Sequence, residues 1–153
     1  MAKIYLAAPM RGDRSALNNV KQICRMLEEH GHVVLTKHVA EDILDIDRGM
    51  TPREIFERDI KLLEEADFLV AEVSYPSLGV GFEIAYFLLK GKEVIALALE
   101  DRVNNVSAMI RGITWPNFHF IPYTAPEDAV LKISNHIKWG DRNEDSYSRD
   151  ATG

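Results

Sequence analysis

Residues 67–91 read DFLVAEVSYPSLGVGFEIAYFLLKG, and three patterns follow one another in that stretch. The apolar run 67–73 has strand length and is rich in β-branched and aromatic residues. A turn containing Ser, Tyr, Pro and Gly comes next, and then a helix from about 80 to 90 that stops at Gly91. Strand, glycine-bearing loop and helix make one βα unit, and the chain repeats it. Working outward, strands are predicted at 3–8 (KIYLAA), 32–36 (HVVLT), 93–98 (EVIALA) and 118–122 (FHFIP). A helix over 15–30 carries Leu17, Val20, Ile23, Cys24 and Leu27 at helical spacing and ends at Gly31, a natural left-handed cap. A second spans 51–66, where Thr51-Pro52-Arg53-Glu54 is a capping box with proline at the first helical position. Its apolar stripe is Ile55, Phe56, Ile60, Leu62 and Leu63. Ser107 to Arg111 reads as a short helical turn, and Thr124-Ala125-Pro126-Glu127 opens a last helix reaching about 138.

Five short strands alternating with helices predict an α/β fold: a flavodoxin-like (Rossmann-like) open doubly wound five-stranded parallel sheet with helices on both faces. Residues 37–50 and 140–153 look irregular, which leaves one domain over 1–139 and a polar tail expected to be disordered. The whole chain has 153 residues, 46% hydrophobic, enough for a single sizeable core. Its formal net charge of -6 argues against binding a nucleic-acid polymer. A lone Cys24 and the lack of zinc-ligand spacing among Cys and His predict a reducing compartment, cytoplasm, with no structural metal. No cleavable signal pattern opens the chain and no apolar run spans a bilayer, so no membrane partner is expected.

In doubly wound sheets ligands sit beyond the carboxyl ends of the strands, so the loops there are where chemistry is expected. After the first strand, Ala8-Pro9-Met10-Arg11-Gly12 puts Arg11 at the sheet edge, either solvated or holding an anion; no G-x-G-x-x-G fingerprint is present. After the third strand, Ser77, Gly79 and Gly81 suit an anionic group at a helix N-terminus. Glu83, expected in the first turn or so of that helix, has two readings: a dipole complement, or a carboxylate kept ionised for nucleophilic attack. Asp59 is either part of a salt-bridged solvent face with Arg58 and Lys61, or a site carboxylate near the buried stripe. Glu72, inside an apolar strand, lines the site or pairs structurally. Tyr5 is core or site. His38 follows the second strand as surface or ligand contact, while His30, His32, His119 and His136 show no partner pattern. After the fourth strand come Ser107, Met109 and Arg111. Arg11, Ser77, Ser107 and Arg111 as anion ligands beside Asp59 and Glu83 suit glycosyl transfer on a phosphorylated sugar.

The chain resembles the 2'-deoxynucleoside 5'-phosphate N-hydrolases, relatives of the nucleoside 2-deoxyribosyltransferases. The likeness runs in order over about residues 3 to 138. It is carried by Ile4-Tyr5 with Met10-Arg11-Gly12, Lys37-His38-Val39-Ala40, Arg58-Asp59, Ala66-Asp67, Val70-Ala71-Glu72-Val73, Pro76 to Glu83 and Ser107 to Gly112, of which SLGVG-x-E and SAMIRG are the specific blocks. The resemblance implies that Glu83 is the nucleophile forming a glycosyl-enzyme and that Asp59 positions the sugar and handles protons. It implies Tyr5 beside the deoxyribose, His38 bordering the base, and Arg11, Gly12, Ser77 and Gly79 holding the 5'-phosphate. Ser107, with Met109 in the same block, would come from the neighbouring subunit, which implies a homodimer with shared sites. No metal or organic cofactor is implied. Where relatives commonly carry Gly-Ser before the hydrophobic-Arg-Gly turn, this chain has Ala8-Pro9, which removes a hydroxyl and an N–H.

Four alternatives share this fold. The transferases carry D-x-G-T-x-x-E, with an acidic residue six positions before the nucleophile; that offset here falls on Ser77, which accepts a phosphate where an aspartate would repel it. A ribonucleotide hydrolase differs only in the sugar. A non-catalytic nucleotide sensor would leave Glu83 and Asp59 dispensable. A phosphoacceptor receiver domain is excluded, because Ala7-Ala8-Pro9 and Val73-Ser74 stand where its acidic residues belong.

Overall fold

Apolar β-branched runs flanked by glycine-capped helices fold, in the computed structural model, into five parallel strands in the order β2-β1-β3-β4-β5. The structure describes residues 1–10 and 13–138 in full and the backbone of 139–150. The strands are β1 Lys3–Ala7, β2 Val33–Val34, β3 Phe68–Glu72, β4 Glu93–Leu99 and β5 Phe118–Tyr123; the helices are α1 Leu17–Glu29, α2 Pro52–Glu65, α3 Leu78–Leu89, α4 Ala108–Arg111 and α5 Pro126–Asp150. This is the expected α/β doubly wound, flavodoxin-like sheet. Its order reverses between β1 and β3, which opens a crevice at their carboxyl ends.

Alternation along the strands sorts the core into two layers. Ile4, Leu6, Val70, Ile95 and Leu97 pack with Val20, Ile23 and Leu27 of α1 and Val130 and Ile133 of α5. Tyr5, Ala7, Leu69, Ala71 and Ala96 face Leu63 of α2 and Val80, Ile84 and Phe87 of α3. The predicted caps are present. Thr51 Oγ1 accepts from the Glu54 N–H at 3.2 Å while Glu54 Oε1 accepts from the Thr51 N–H, a pairing that stabilises α2 by about 1 kcal/mol. Gly31 and Gly91, at φ 87° and 75°, end α1 and α3 in the left-handed region that a Cβ disfavours.

Three local outcomes differ from the sequence reading. β2 is only two residues long because Thr36 takes over its ladder: its hydroxyl accepts from the Leu6 N–H at 2.8 Å and donates to the Leu6 carbonyl at 2.6 Å. Residues 37–40 then wind into a 3-10 turn. The last helix does not stop near 138 but runs to Asp150. No proline follows Pro126, and one glycine at 140 costs about 1 kcal/mol rather than ending a helix; residues 151–153 lie outside the described residues. Finally, the fold brings His119 and His136 to Glu93, a meeting of three elements that linear spacing does not encode. Among the described residues no helix is long and apolar enough to cross a membrane.

Glu72 pairs structurally instead of lining the site. It is 1% exposed, accepts from the Ser74 N–H at 2.6 Å and from the Tyr123 hydroxyl, and burial raises its pKa. Tyr123→Phe removes a donor from a buried carboxyl, so it is expected to destabilise the fold by about 1–3 kcal/mol in urea unfolding.

Candidate active site

The crevice at the switch point holds a cavity of about 350 Å³. β1 supplies Tyr5 from below; α2 supplies Arg58 and Asp59 together with Ile55 and Phe56; α3 supplies Gly79, Phe82 and Glu83; the 37–50 connection closes one side with His38, Leu44, Asp45 and Ile46. Local sequence explains each placement. Starting at Pro52, the helical period puts Ile55, Asp59 and Leu63 along one face of α2, with Leu63 sealed into the core and Asp59 half-buried above it. Phe56 is exposed, not core as its place in the apolar stripe suggested; it meets the Phe82 ring at 6.2 Å and walls the cavity mouth.

Arg58 organises the polar side. Its Nη1 donates to Asp45 Oδ2 at 2.7 Å, its Nε to Asp59 Oδ1 at 2.9 Å, and its Nη2 to His38 Nε2 at 3.0 Å. A guanidinium only donates, so His38 Nε2 must accept, which fixes a neutral imidazole. Burial, reinforced by the Arg58 charge, lowers the His38 pKa to match. The 3.7 Å approach of His38 Nε2 to Asp59 Oδ1 is therefore not an ion pair. The two carboxylates raise the Arg58 pKa against its own desolvation.

Glu83 departs from expectation. It is the sixth residue of α3, beyond the turn where the dipole acts, and it is half-buried in the cavity wall. Burial pushes its pKa up to about 7, a donated Tyr5 hydrogen bond opposes the shift, and the Asp59 charge adds to it. Near neutrality Glu83 is thus poised between acid and carboxylate, not held ionised. Burial and the Glu83 and Asp59 charges raise the Tyr5 pKa, so Tyr5 stays a donor.

Of the predicted site residues, Tyr5, His38, Asp59, Gly79 and Glu83 line this one cavity. Ser77 does not line it; it caps α3, accepting from the Val80 N–H at 3.3 Å beside Gly79. Ser107 and Met109 lie outside it, the methionine 84% exposed on α4. Arg111 is tied to the Val106 carbonyl. Arg11 and Gly12 lie outside the described residues. Arg58 and Asp45 went unassigned in the sequence. The period from Ile55 points to Arg58, but Asp45 sits in a connection without periodicity.

Such an arrangement suits cleavage of a polar bond next to a flat apolar group: two carboxyls and a phenol at one end, aliphatic and aromatic walls at the other. Comparison with known proteins agrees. The sequence profile of the nucleoside 2-deoxyribosyltransferase family matches residues 4–122. A protein of Thermofilum pendens, provisionally named 2'-deoxynucleoside 5'-phosphate N-hydrolase 1, is 71% identical over 88% of this chain and 94% of its own. The 5-hydroxymethyl-dUMP N-hydrolase of Danio rerio is 37% identical over 85% of this chain and 91% of its own. The structure of Clostridium botulinum CMP N-glycosidase superposes with a TM-score of 0.66 at 25% identity, covering 88% of this chain and 98% of the other. The chain belongs to the nucleoside 2-deoxyribosyltransferase family.

Proposed function

We propose that this protein hydrolyses the N-glycosidic bond of 2'-deoxynucleoside 5'-monophosphates to free base and 2-deoxyribose 5-phosphate. The observation that carries the reading is the convergence of Glu83 and Asp59, from two helices, over Tyr5 in a single switch-point cavity. Its volume falls in the range of small-molecule sites, about 300–1,000 Å³. In the first step the Glu83 carboxylate bonds to the anomeric carbon while the C–N bond breaks and its electron pair leaves with the base. In the second, water bonds to the same carbon, loses a proton, and Glu83 leaves as carboxylate. Asp59 positions the sugar and handles protons, and Tyr5 holds Glu83 beside the deoxyribose. His38 and the apolar walls border the base. The chemistry as written uses no metal or cofactor.

The 5'-phosphate sits at the α3 N-terminus with Ser77 and Gly79, and the family resemblance adds Arg11 and Gly12 to its ligands. Three carboxyls against one described arginine make the polar wall a poor home for a dianion, whereas the amides opening α3 attract one. Residues 1–139 act as one catalytic unit in the cytoplasm, a setting supported by the single buried Cys24. Homodimerisation completes the site: Ser107 and Met109 project from α4, and Leu78, 97% exposed where α3 begins, offers apolar area beside the cavity for a second copy to cover. Light scattering is expected to return twice the chain mass.

The relative named CMP N-glycosidase makes ribonucleotides the second reading, outweighed by nearer relatives named for deoxynucleotides. The test is incubation with deoxynucleoside and ribonucleoside monophosphates and free nucleosides, following base and sugar phosphate by chromatography. Release from deoxynucleotides alone supports the proposal; base exchange on nucleosides, or release from ribonucleotides only, overturns it.

The Glu83 pKa sets the pH dependence. Only the carboxylate attacks, and it forms as pH rises through about 7. Accordingly kcat/KM is expected to climb with pH up to about 7 and then level; a profile flat from about pH 5 to 8 would contradict the assignment.

A further inference from the structure

Opposite the crevice, at the amino ends of the strands, three metal-ligating side chains meet. Glu93 is the first residue of β4 and His119 the second of β5. Because Ile95 is level with His119, Glu93 lies diagonally across the ladder on the same face, the one α5 covers. His136 reaches them from α5, one turn beyond the buried Ile133. The His119 Nε2 lies 2.5 Å and the His136 Nε2 3.9 Å from the same oxygen, Glu93 Oε2. The imidazole centroids are 4.1 Å apart, and all three ligand atoms fall within 4.8 Å of one another.

A hydrogen bond explains one of these contacts but not the other. His119 satisfies Glu93, yet His136 is held beside both at a distance too long to bond. Two imidazoles this close that were both charged would repel. We propose that Glu93, His119 and His136 bind a divalent cation of the zinc class, with water completing its shell. With bonds of about 2.0–2.1 Å, tetrahedral ligand atoms stand about 3.3 Å apart. The short contact therefore opens and the long one closes, each by less than about 1 Å. Two imidazoles and one carboxylate select borderline ions such as Zn²⁺ or Co²⁺ over Mg²⁺ or Ca²⁺, which prefer all-oxygen shells. Being remote from Glu83, the ion is a clamp between β4, β5 and α5, not a participant in hydrolysis, and it stands whether or not the proposed reaction does.

The test uses chelator-stripped, tag-free full chain titrated with Co²⁺, followed by its visible absorption and by calorimetry. One ion per chain is expected, with Kd of about 10 μM or tighter, at least about tenfold weaker in His136→Ala and in Glu93→Gln. Zn²⁺ at about 100 times its Kd should raise Tm by about 5 °C or more, and Mg²⁺ should not. Loss of uptake in both variants, with circular dichroism and base release unchanged, supports the site. No uptake, Kd weaker than about 1 mM, or uptake undiminished in both variants overturns it.

Discussion

Glu83→Gln is expected to lower kcat/KM for the preferred deoxynucleotide by at least about 10³-fold, while its Kd changes by no more than about threefold. The amide matches the carboxyl in shape and still accepts from Tyr5, so the cavity persists. It cannot form an ester with the anomeric carbon or stabilise positive charge there. Binding is spared because phosphate and base are held elsewhere, at the α3 N-terminus and against the apolar walls. Steady-state base release together with calorimetric nucleotide binding checks both halves. Undiminished turnover would remove the covalent mechanism; lost binding with residual turnover would make Glu83 a ligand and not a nucleophile.

Asp59→Asn is the second large effect, a loss of about 10²–10⁴-fold in kcat/KM. The asparagine carbonyl can still accept from Arg58 Nε, so the network joining Arg58, Asp45 and His38 survives. A second consequence separates a chemical from an architectural role. The Asp59 charge helps hold the Glu83 pKa up, and removing it lets Glu83 ionise more easily. The rise of residual activity with pH therefore shifts to lower pH in Asp59→Asn. An architectural loss would depress the profile without moving it, and that result would contradict the pairing of the two carboxyls.

The parallel-sheet fold class, the helix caps and five residues of the cavity, Tyr5, His38, Asp59, Gly79 and Glu83, were legible because they depend on local pattern. Apolar runs separated by glycine-capped helices allow few topologies, and the carboxyl-edge rule then directs attention to the end of the sheet where Tyr5, His38, Asp59, Gly79 and Glu83 gather. What was not legible depends on tertiary meeting points. Thr36 substitutes for strand backbone through a side-chain rung that propensity does not anticipate. The helix position of Glu83 predicts an ionised carboxylate, yet burial raises its pKa, and burial depends on the elements that close over it rather than on its place along α3. The sequence puts Arg58 beside Asp59 without assigning it a role; only the return of residues 37–50 gives it Asp45 and His38 as partners. Glu93, His119 and His136 are far apart in sequence and share no spacing rule.

The central claim is that Glu83 carries the sugar between departure of the base and arrival of water. It is tested most directly by running the reaction in the presence of methanol, which intercepts the intermediate as a stable methyl glycoside whose anomeric configuration is read by NMR. Two displacements at one carbon predict the β-methyl glycoside of 2-deoxyribose 5-phosphate, with the configuration of the nucleotide retained. The inverted α-glycoside would mean that the acceptor attacks directly, with Glu83 acting on it as a base, and would contradict the account.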